Sequence, residues 1–242
     1  GGSALFGGLT SQDGAQDTSK LAVQGGGSNI GIIQVHAGGG ESAGDLSGIT
    51  FSHGSDDTTA RAKCAIASSV TGSYGKGDLC FYVDGGLDNN PVSSADEKMR
   101  LSKEGYLTTP STVSFQAYGG GNWSAGNYIV LTSTNWNDGG GYNTSNGVFT
   151  APITGTYLFT ITGLYTLNTS SPPHKITWHV NNVNQGVLAE WQDGSIASSY
   201  NTIGNSSIIF KLNATNTVRI YVEASVAHIS GGQTRYCGHL IG

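Results

Sequence analysis

The pattern that most restricts the fold of this chain is a two-residue alternation of apolar and polar side chains, repeated from residue 113 almost to residue 242. In its longest run, residues 156–167, the odd positions include Tyr157, Phe159 and Ile161, whereas threonine dominates the even positions. Successive side chains of a β-strand point to opposite faces, so we expect the odd face to be core. Helical periodicity is nearly absent, and the chain is therefore predicted to be all-β.

Turn residues divide this part of the chain into short strands at the spacing of about 8 to 12 residues that is typical of β-sandwiches. Nine or ten such strands predict an antiparallel ten-strand jelly-roll sandwich. The predicted strands are residues 113–118, 128–133, 147–150, 156–167, 175–180, 187–191, 206–212, 217–224 and 236–241.

A smaller β-rich module is predicted before residue 110, with strands at residues 30–36, 48–52, 60–68, 78–83 and 98–101. Ser94 precedes Glu97 by three positions, the spacing of a helical capping box, but the apolar period ends at once and favours a turn. A hairpin between the third and fourth strands would place Cys64 opposite Asp84 and Cys80 opposite Ser68, too far apart for a disulfide. We expect Cys64, Cys80 and Cys237 to be buried or half-buried thiols.

Charge separates two regions of the sequence. Residues 1–110 hold 12 acidic and 7 basic residues, whereas residues 111–242 hold four of each. Pro110, which lacks a backbone donor and keeps its neighbour extended, marks a short linker at the divide. We therefore predict a flexible Gly/Ser/Gln-rich leader (1–27), a β-rich module (28–110) and a jelly-roll head (111–242).

Composition excludes several classes of function. Only 11% of the 242 residues are charged, against roughly 25% in an average globular protein. The net charge of −5 and the thinly spread basic residues exclude a phosphate-binding stripe, so nucleic acid is not an expected partner. No apolar run reaches the roughly 20 residues that span a bilayer, so membrane insertion is not expected.

Eight residues of the head follow a fixed spacing of aromatic, amide and glycine positions: Leu131, Asn137, Tyr142, Phe149, Gly155, Tyr157, Phe159 and Ile161. With the closing run Tyr236-Cys-Gly-His-Leu-Ile, this pattern resembles complement C1q-type globular heads, which are relatives of the tumour-necrosis-factor jelly rolls. Six of the eight positions fit, and Leu131 and Ile161 are apolar replacements. The resemblance implies a compact homotrimer with both termini at its base.

Three runs in the first module, within residues 48–52, 72–82 and 94–107, resemble segments of tailed-phage fibre proteins. In such fibres, a run of this kind often closes the shaft before a head domain. This resemblance implies that residues 28–110 are a fibre shaft or neck module, in a virion protein that is located in the tail fibre and is extracellular.

The order of antiparallel strands sorts the loops of the head by end. If the last strand returns to the base, loops 168–174, 191–200 and 225–234 meet at the opposite end, which we call the apex. Loops on a rigid scaffold commonly carry binding residues, and Trp191 with Asp193 could stack on a sugar ring and accept its hydroxyl hydrogens. Packing of Trp191 between subunits is the alternative. The candidate receptor-binding residues are Asn168, His174, Trp191, Asp193, Tyr200 and His228.

Metal, cofactor and catalytic sites are not expected. His174, His179 and His228 lack the close spacing of metal-ligand pairs, and a single strand histidine is more often a satisfied surface residue. Residues 181–185 offer amide oxygens but no carboxylate to bind calcium. A calcium site that uses the carboxylate of Asp193 stays an open alternative. The neighbouring pairs Asp56-Asp57 and Asp96-Glu97 would point to opposite faces of a strand, so we interpret them as solvated turns.

The first hypothesis is therefore the distal, receptor-binding part of a trimeric bacteriophage tail fibre that holds a host-surface molecule, expected to be carbohydrate. The alternative is a secreted C1q-like recognition or signalling protein of a cellular organism, in which the five Asn-x-Ser/Thr triplets could carry glycans. A fibre that degrades polysaccharide is the alternative in which the protein is an enzyme. The trimer is also expected because Leu158, Leu164, Ile209 and Tyr221, opposite the predicted core, would leave an apolar patch on a monomer.

Overall fold

The computed structural model describes residues 42, 44–51, 62–167, 174–191, 201–202, 206–224, 227–229 and 232–242. The predicted leader (1–27), the predicted strand 30–36 and the Asp56-Asp57 pair lie outside these residues. The chain divides into two compact units between Thr108 and Thr109. Among the described residues, no helix has the length and apolar character needed to cross a membrane.

The described residues of the first unit form one antiparallel sheet, sheet A, whose five strands are hydrogen-bonded in chain order. A 3₁₀ turn at Ser94–Asp96 precedes the fourth strand. The strands are β1 (Leu46–Phe51), β2 (Cys64–Gly72), β3 (Lys76–Val83), β4 (Glu97–Leu101) and β5 (Leu107–Thr108).

Three details of the first unit differ from the sequence prediction. The hairpin register is shifted by one residue, so Cys64 pairs with Val83 and Cys80 with Ala67, because a bulge lies near the turn. The capping box is formed by Ser93 and Asp96, one position early, because Glu97 instead accepts hydrogen bonds from Arg100. The predicted linker begins as strand β5, which pairs with β4.

Both side chains of the acidic pair are thus hydrogen-bonded, Asp96 to Ser93 and Glu97 to Arg100, so the pair is not a solvated turn. Elsewhere in this unit, the Lys63 ammonium forms ion pairs with Asp84 and Asp88, with N–O distances of 2.5 and 2.8 Å. Hydrogen bonds from Lys63 lower the pKa of both carboxyls.

The three cysteines, Cys64, Cys80 and Cys237, are free thiols, of which only Cys80 is fully buried.

The described residues of the second unit form fourteen strands in three sheets. Sheet B has the order β14-β13-β17-β10-β9, sheet C has the order β16-β11-β19-β6-β8, and sheet D has the order β15-β12-β18-β7. The strands are β6 (Ser114–Tyr118), β7 (Gly121–Trp123), β8 (Ser133–Asp138), β9 (Tyr142–Asn143), β10 (Val148–Thr150), β11 (Gly155–Thr162), β12 (Leu164–Leu167), β13 (His174–Val180), β14 (Val183–Trp191), β15 (Asn201–Thr202), β16 (Ser206–Leu212), β17 (Thr217–Ala224), β18 (Ala227–Ile229) and β19 (Arg235–Leu240).

The chain passes repeatedly between sheets B and C: β10 lies in B, β11 in C, β13 and β14 in B, β16 in C, β17 in B and β19 in C. This alternation between two antiparallel five-stranded sheets is a jelly-roll sandwich. The predicted fold class is confirmed. Sheet D continues the strand order of sheet C, since β15, β12, β18 and β7 adjoin β16, β11, β19 and β6 along the chain.

The core lies between the sheets and is largely aromatic. Alternation along β11 places Tyr157, Phe159 and Ile161 at no more than 1% exposure, as predicted. The ring of Phe115 stacks on Tyr142 at 4.8 Å and on Phe149 at 5.3 Å between centroids. Such pairs add to the stabilisation that comes from burying the rings.

Three predicted strands of this unit differ from the structure. The strand predicted at 187–191 begins four residues earlier, at Val183. Residues 128–133 do not form a strand: Ile129 donates its backbone N–H to Ile220, and the strand itself is β8, from Ser133 to Asp138. The predicted strand 156–167 is interrupted at Gly163. A Cβ atom at Gly163 would overlap the side chain of Thr234, so the chain bends where no side chain fits.

The signature residues are joined by hydrogen bonds. The Asn137 side chain donates to the Tyr142 carbonyl at 2.8 Å and accepts from the Tyr142 N–H at 3.1 Å. The Tyr142 hydroxyl donates to the carbonyl of Leu131 and accepts from its N–H, both at 3.1 Å. Burial raises the pKa of Tyr142 to about 12, so its hydroxyl stays protonated and can donate. These bonds fix the irregular chain around β8 and β9.

We predict that Asn137→Ala lowers the free energy of unfolding by about 1–3 kcal/mol, because the N–H and C=O of buried Tyr142 lose their side-chain partners. Urea unfolding followed by fluorescence measures the loss. The matched control is Asn135→Ala on the same strand, at an exposed position, with an expected change within about 0.5 kcal/mol. Equal effects of the two substitutions would contradict the role of Asn137.

Candidate functional site

One end of the sandwich holds both chain ends of the second unit. Leu240 donates its backbone N–H to Val113 at 2.9 Å, and Thr156 donates to Gly242. The β13–β14 turn lies at the same end, where the Asn181 side chain accepts from the Thr217 N–H at 2.9 Å. Asn181 and Asn182 adopt φ values of 50° and 64°, a left-handed geometry that asparagine tolerates and that a tight hairpin requires. We call this end the base.

The other end is formed by strand termini that lead into the predicted apex loops. His174, the first residue of β13, pairs with Trp191, the last residue of β14. Lys175 pairs with Ala224, and Leu167 pairs with Ala227. The strand ends next to the predicted apex loops therefore lie at the end opposite the base, whereas residues 168–173, 192–200 and 225–226 lie outside the described residues.

The backbone brings together two of the six candidate residues directly, His174 and Trp191. His228 lies in sheet D, where it pairs with Thr166 and Asn122. Asn168, Asp193 and Tyr200 lie outside the described residues. The receptor-binding role of all six stays a prediction.

A depression of about 350 Å³ lies on the outer surface of sheet C, where β11, β16 and β19 run side by side. Threonine and serine hydroxyls dominate its lining, together with one guanidinium and one thiol, so it can offer hydrogen bonds to a polar ligand. The Arg235 guanidinium lies 5.2 Å from the Tyr118 ring centre and donates to the carbonyl of Thr234 at 2.9 Å. The lining residues are Thr160, Ile161, Thr162, Ser206, Ser207, Arg235 and Cys237.

The outer surface of sheet B carries a cluster that the sequence did not indicate. Tyr128, which forms an isolated bridge with Tyr221, packs against His179 at 5.7 Å and against Tyr221 at 5.1 Å between ring centres. The Arg219 guanidinium lies 4.5 Å from the Tyr128 ring centre, within cation–π range. The cluster packs the segment around Tyr128 onto the sheet.

His179 is buried in this cluster, with 7% of its surface exposed, and neither ring nitrogen has a hydrogen-bond partner among the described residues. The expectation of a satisfied surface histidine was wrong, because the Tyr128 segment covers it. Burial lowers the pKa of His179, and the nearby Glu223 opposes this only in part. Glu223 is itself paired with Lys175 at 2.8 Å, which lowers its pKa.

Tyr221 belongs to this cluster and not to the patch predicted with Leu158 and Ile209. It lies on sheet B, whereas Leu158 and Ile209 are paired neighbours on sheet C. The predicted single apolar patch is therefore wrong, although Ile209 is 58% exposed and Leu158 partly so. The side chain of Leu164 lies outside the described part.

The described part of the chain contains no group of three or more histidine, cysteine or carboxylate side chains arranged to hold a metal. Three amide oxygens of the 181–185 turn accept hydrogen bonds: Asn181 from the Thr217 N–H, Asn184 from the Gly186 N–H at 2.8 Å and Asn182 from the Tyr128 hydroxyl at 3.2 Å. Asp138 accepts from Ser114 at 3.2 Å. These carboxylate and amide groups stabilise strands and turns.

No protein-family profile matches the sequence, and no curated protein matches it closely enough to count as a relative. Solved structures do match. The globular domain of zebrafish complement 1qA is 13% identical, with 54% of this chain and 98% of that chain covered and a TM-score of 0.42. The Eiger TNF of S. frugiperda is 12% identical, with 55% and 94% covered and a TM-score of 0.43. Murine APRIL is 15% identical, with 54% and 99% covered and a TM-score of 0.40.

We predict that the protein loses stability as the pH falls below about 6.5, the ordinary pKa of histidine. The folded state lowers the pKa of His179, so the unfolded chain binds the proton first and is stabilised relative to the folded state. The loss should continue down to the lowered pKa and then level off. Urea midpoints measured at several pH values from 8 to 4.5 test this.

The control is His179→Phe, which keeps a ring against Tyr128 and Tyr221 but cannot be protonated. Its urea midpoint should change less than that of the parent over this pH range. An identical pH dependence in the two proteins would show that other groups cause it.

Proposed function

We propose that this chain is the distal, receptor-binding part of a homotrimeric bacteriophage tail fibre, and that its apex loops hold a host-surface molecule, expected to be carbohydrate. The observation that carries the proposal is the separation of the two ends of the head. The chain enters beside Val113, at the base, whereas His174 and Trp191 lie at the far end. A head attached at its base is free to meet a cell with its apex.

The residue types at the apex support a glycan ligand. Trp191 ends β14 beside the start of β13, and the loop that follows it contains Asp193. An indole can stack on the apolar face of a sugar ring, while a carboxylate accepts hydrogen bonds from its hydroxyls. Three copies of a weak site gain avidity on a surface that displays repeated ligands.

Exposed apolar residues on sheet C support assembly of the head. Ile209 is 58% exposed and its paired neighbour Leu158 is partly exposed, and both lie on the surface that faces away from the aromatic core. Contiguous apolar surface on a soluble protein commonly marks a contact with another subunit. Closed symmetric assemblies are the usual outcome for identical chains.

The location in a virion rests on the resemblance of the first unit to phage fibre segments and on the scarcity of charged residues. The alternative is a secreted C1q-like recognition protein, and two of its potential glycosylation sites, Asn143 and Asn213, are exposed. We propose that the protein acts by binding without catalysis. Incubation with host polysaccharide should produce no new reducing ends.

We predict that Trp191→Ala combined with Asp193→Ala abolishes adsorption to host cells, because it removes both the stacking surface and the acceptor. Fluorescently labelled protein on a panel of candidate host cells and purified surface glycans measures binding. The variant must retain the sedimentation coefficient of the parent.

The matched control is Val183→Ala, which changes a 60% exposed side chain at the base. We expect it to bind as the parent does. If the apex variant binds as well as the parent while remaining trimeric, recognition lies on the flanks of the head or in the first unit.

The intact mass of the protein from its native source decides between a virion protein and a secreted protein. We predict the unmodified mass of a virion protein made in bacteria. Glycans attached at Asn143 or Asn213 would support the secreted alternative instead.

A further inference from the structure

Sheet A has one strongly apolar surface that remains exposed. Large apolar side chains on all of its long strands and on β5 are 37–64% exposed, which is unusual for so many residues in one small sheet. They are Ile49 (51%), Phe51 (46%), Ile66 (37%), Leu79 (43%), Val83 (44%), Leu101 (41%) and Leu107 (64%).

The strand register places these residues on the same surface. Paired residues of neighbouring strands point to the same side of a sheet, and the pairs run in rows across the strands. One row joins Ile49, Ile66, Phe81 and Met99. A second row joins Leu79, Leu101 and Leu107, and a third joins Phe51, Cys64 and Val83. We call the surface formed by these three rows the apolar face.

The opposite surface of sheet A differs in both burial and charge. Cys80 and Tyr82 are buried there, with Val92 packed against them. The same surface carries the ion cluster of Asp78, Arg100 and Glu97, since Arg100 pairs with Cys80. The core of the first unit and its charges thus lie on one side, and the apolar face lies on the other.

We propose that the apolar face packs against the same face of other copies of this chain, and so holds the first unit together around the axis of the assembly. The inference rests on the proposed function only for the number of copies, which is three. Contact between identical surfaces brings like residues together, and like charges would repel. The three rows contain no charged residue, whereas the opposite surface would place carboxylates near carboxylates.

The amount of apolar surface also fits this occupant. Seven large side chains at these exposures present several hundred Å² per chain, above the largest patches of many monomers. Contacts with neighbouring side chains in the three rows bring the area toward the roughly 800 Å² per partner of a stable interface. The sheet spacing of about 10 Å allows side chains of facing sheets to interdigitate.

Cross-linking of the full chain tests the inference. Ile66→Cys, at the centre of the apolar face, is made in a background with Cys64→Ser and Cys237→Ser. It is treated with a bismaleimide whose span is about 10 Å, the spacing of packed sheets. We expect cross-linked species of two chains on denaturing gels, because Ile66 of each copy lies near Ile66 of another.

The matched control is Thr50→Cys in the same background, an exposed position on the opposite surface of sheet A. It should give no cross-link between chains. A second pair of variants measures the energetic role: Ile66→Glu should lower the thermal unfolding midpoint of the assembly by several degrees, whereas Thr50→Glu should not.

The outcomes separate this inference from the proposed function. Absence of Ile66→Cys cross-links between chains, in a protein that sediments near three times the 24.9 kDa chain mass, overturns the inference and leaves the recognition head intact. Cross-links that form only within one chain would also overturn the inference, because another part of the same chain would then cover the apolar face. Cross-links between chains combined with unchanged cell binding by the apex variant support the inference and overturn the proposed apex site.

Discussion

The head depends on an aromatic core that fills the space between sheets B and C. That core requires a glycine at one position of a central strand, because the rings occupy the space of a side chain. Gly238 of β19 lies against Phe115 and Phe159, and a Cβ atom there would overlap both rings. Phe115 in turn contacts Tyr236 edge-to-face at 5.0 Å. Because protein interiors are packed as tightly as organic crystals, the strand order of sheet C and the choice of core residues are fixed together.

The sequence predicted the regular strands of the head well. Strands β16 and β17 have the predicted bounds because their two faces differ sharply, with Val218, Ile220 and Val222 inside. It failed where local pattern does not decide the structure. The segment around Tyr128 is a short apolar run that resembles a strand, yet it pairs with β17 over a separation of more than ninety residues. No short window of sequence contains that information.

The same distinction applies to the surfaces. Antiparallel order was sufficient to place His174 and Trp191 together at the end opposite the base, because that order depends only on the number of strand reversals. Burial of His179 could not be foreseen, since it results from a distant segment that lies over sheet B. In sheet A, both faces of β2 and β3 contain apolar residues, so alternation alone does not distinguish them. Only the register and the exposures identify the one that the unit leaves uncovered.

The position of β19 has a consequence for how the protein is made. This strand ends at Leu240, yet it lies in the middle of sheet C, between β11 and β6. Until residues 235–240 have left the ribosome, β6 and β8 lack their connection to the rest of the sheet, and the aromatic core stays open. Contacts between distant residues also make folding slow. The nascent head therefore exposes unpaired strand edges throughout its synthesis, which makes its assembly sensitive to translation rate and to chaperones.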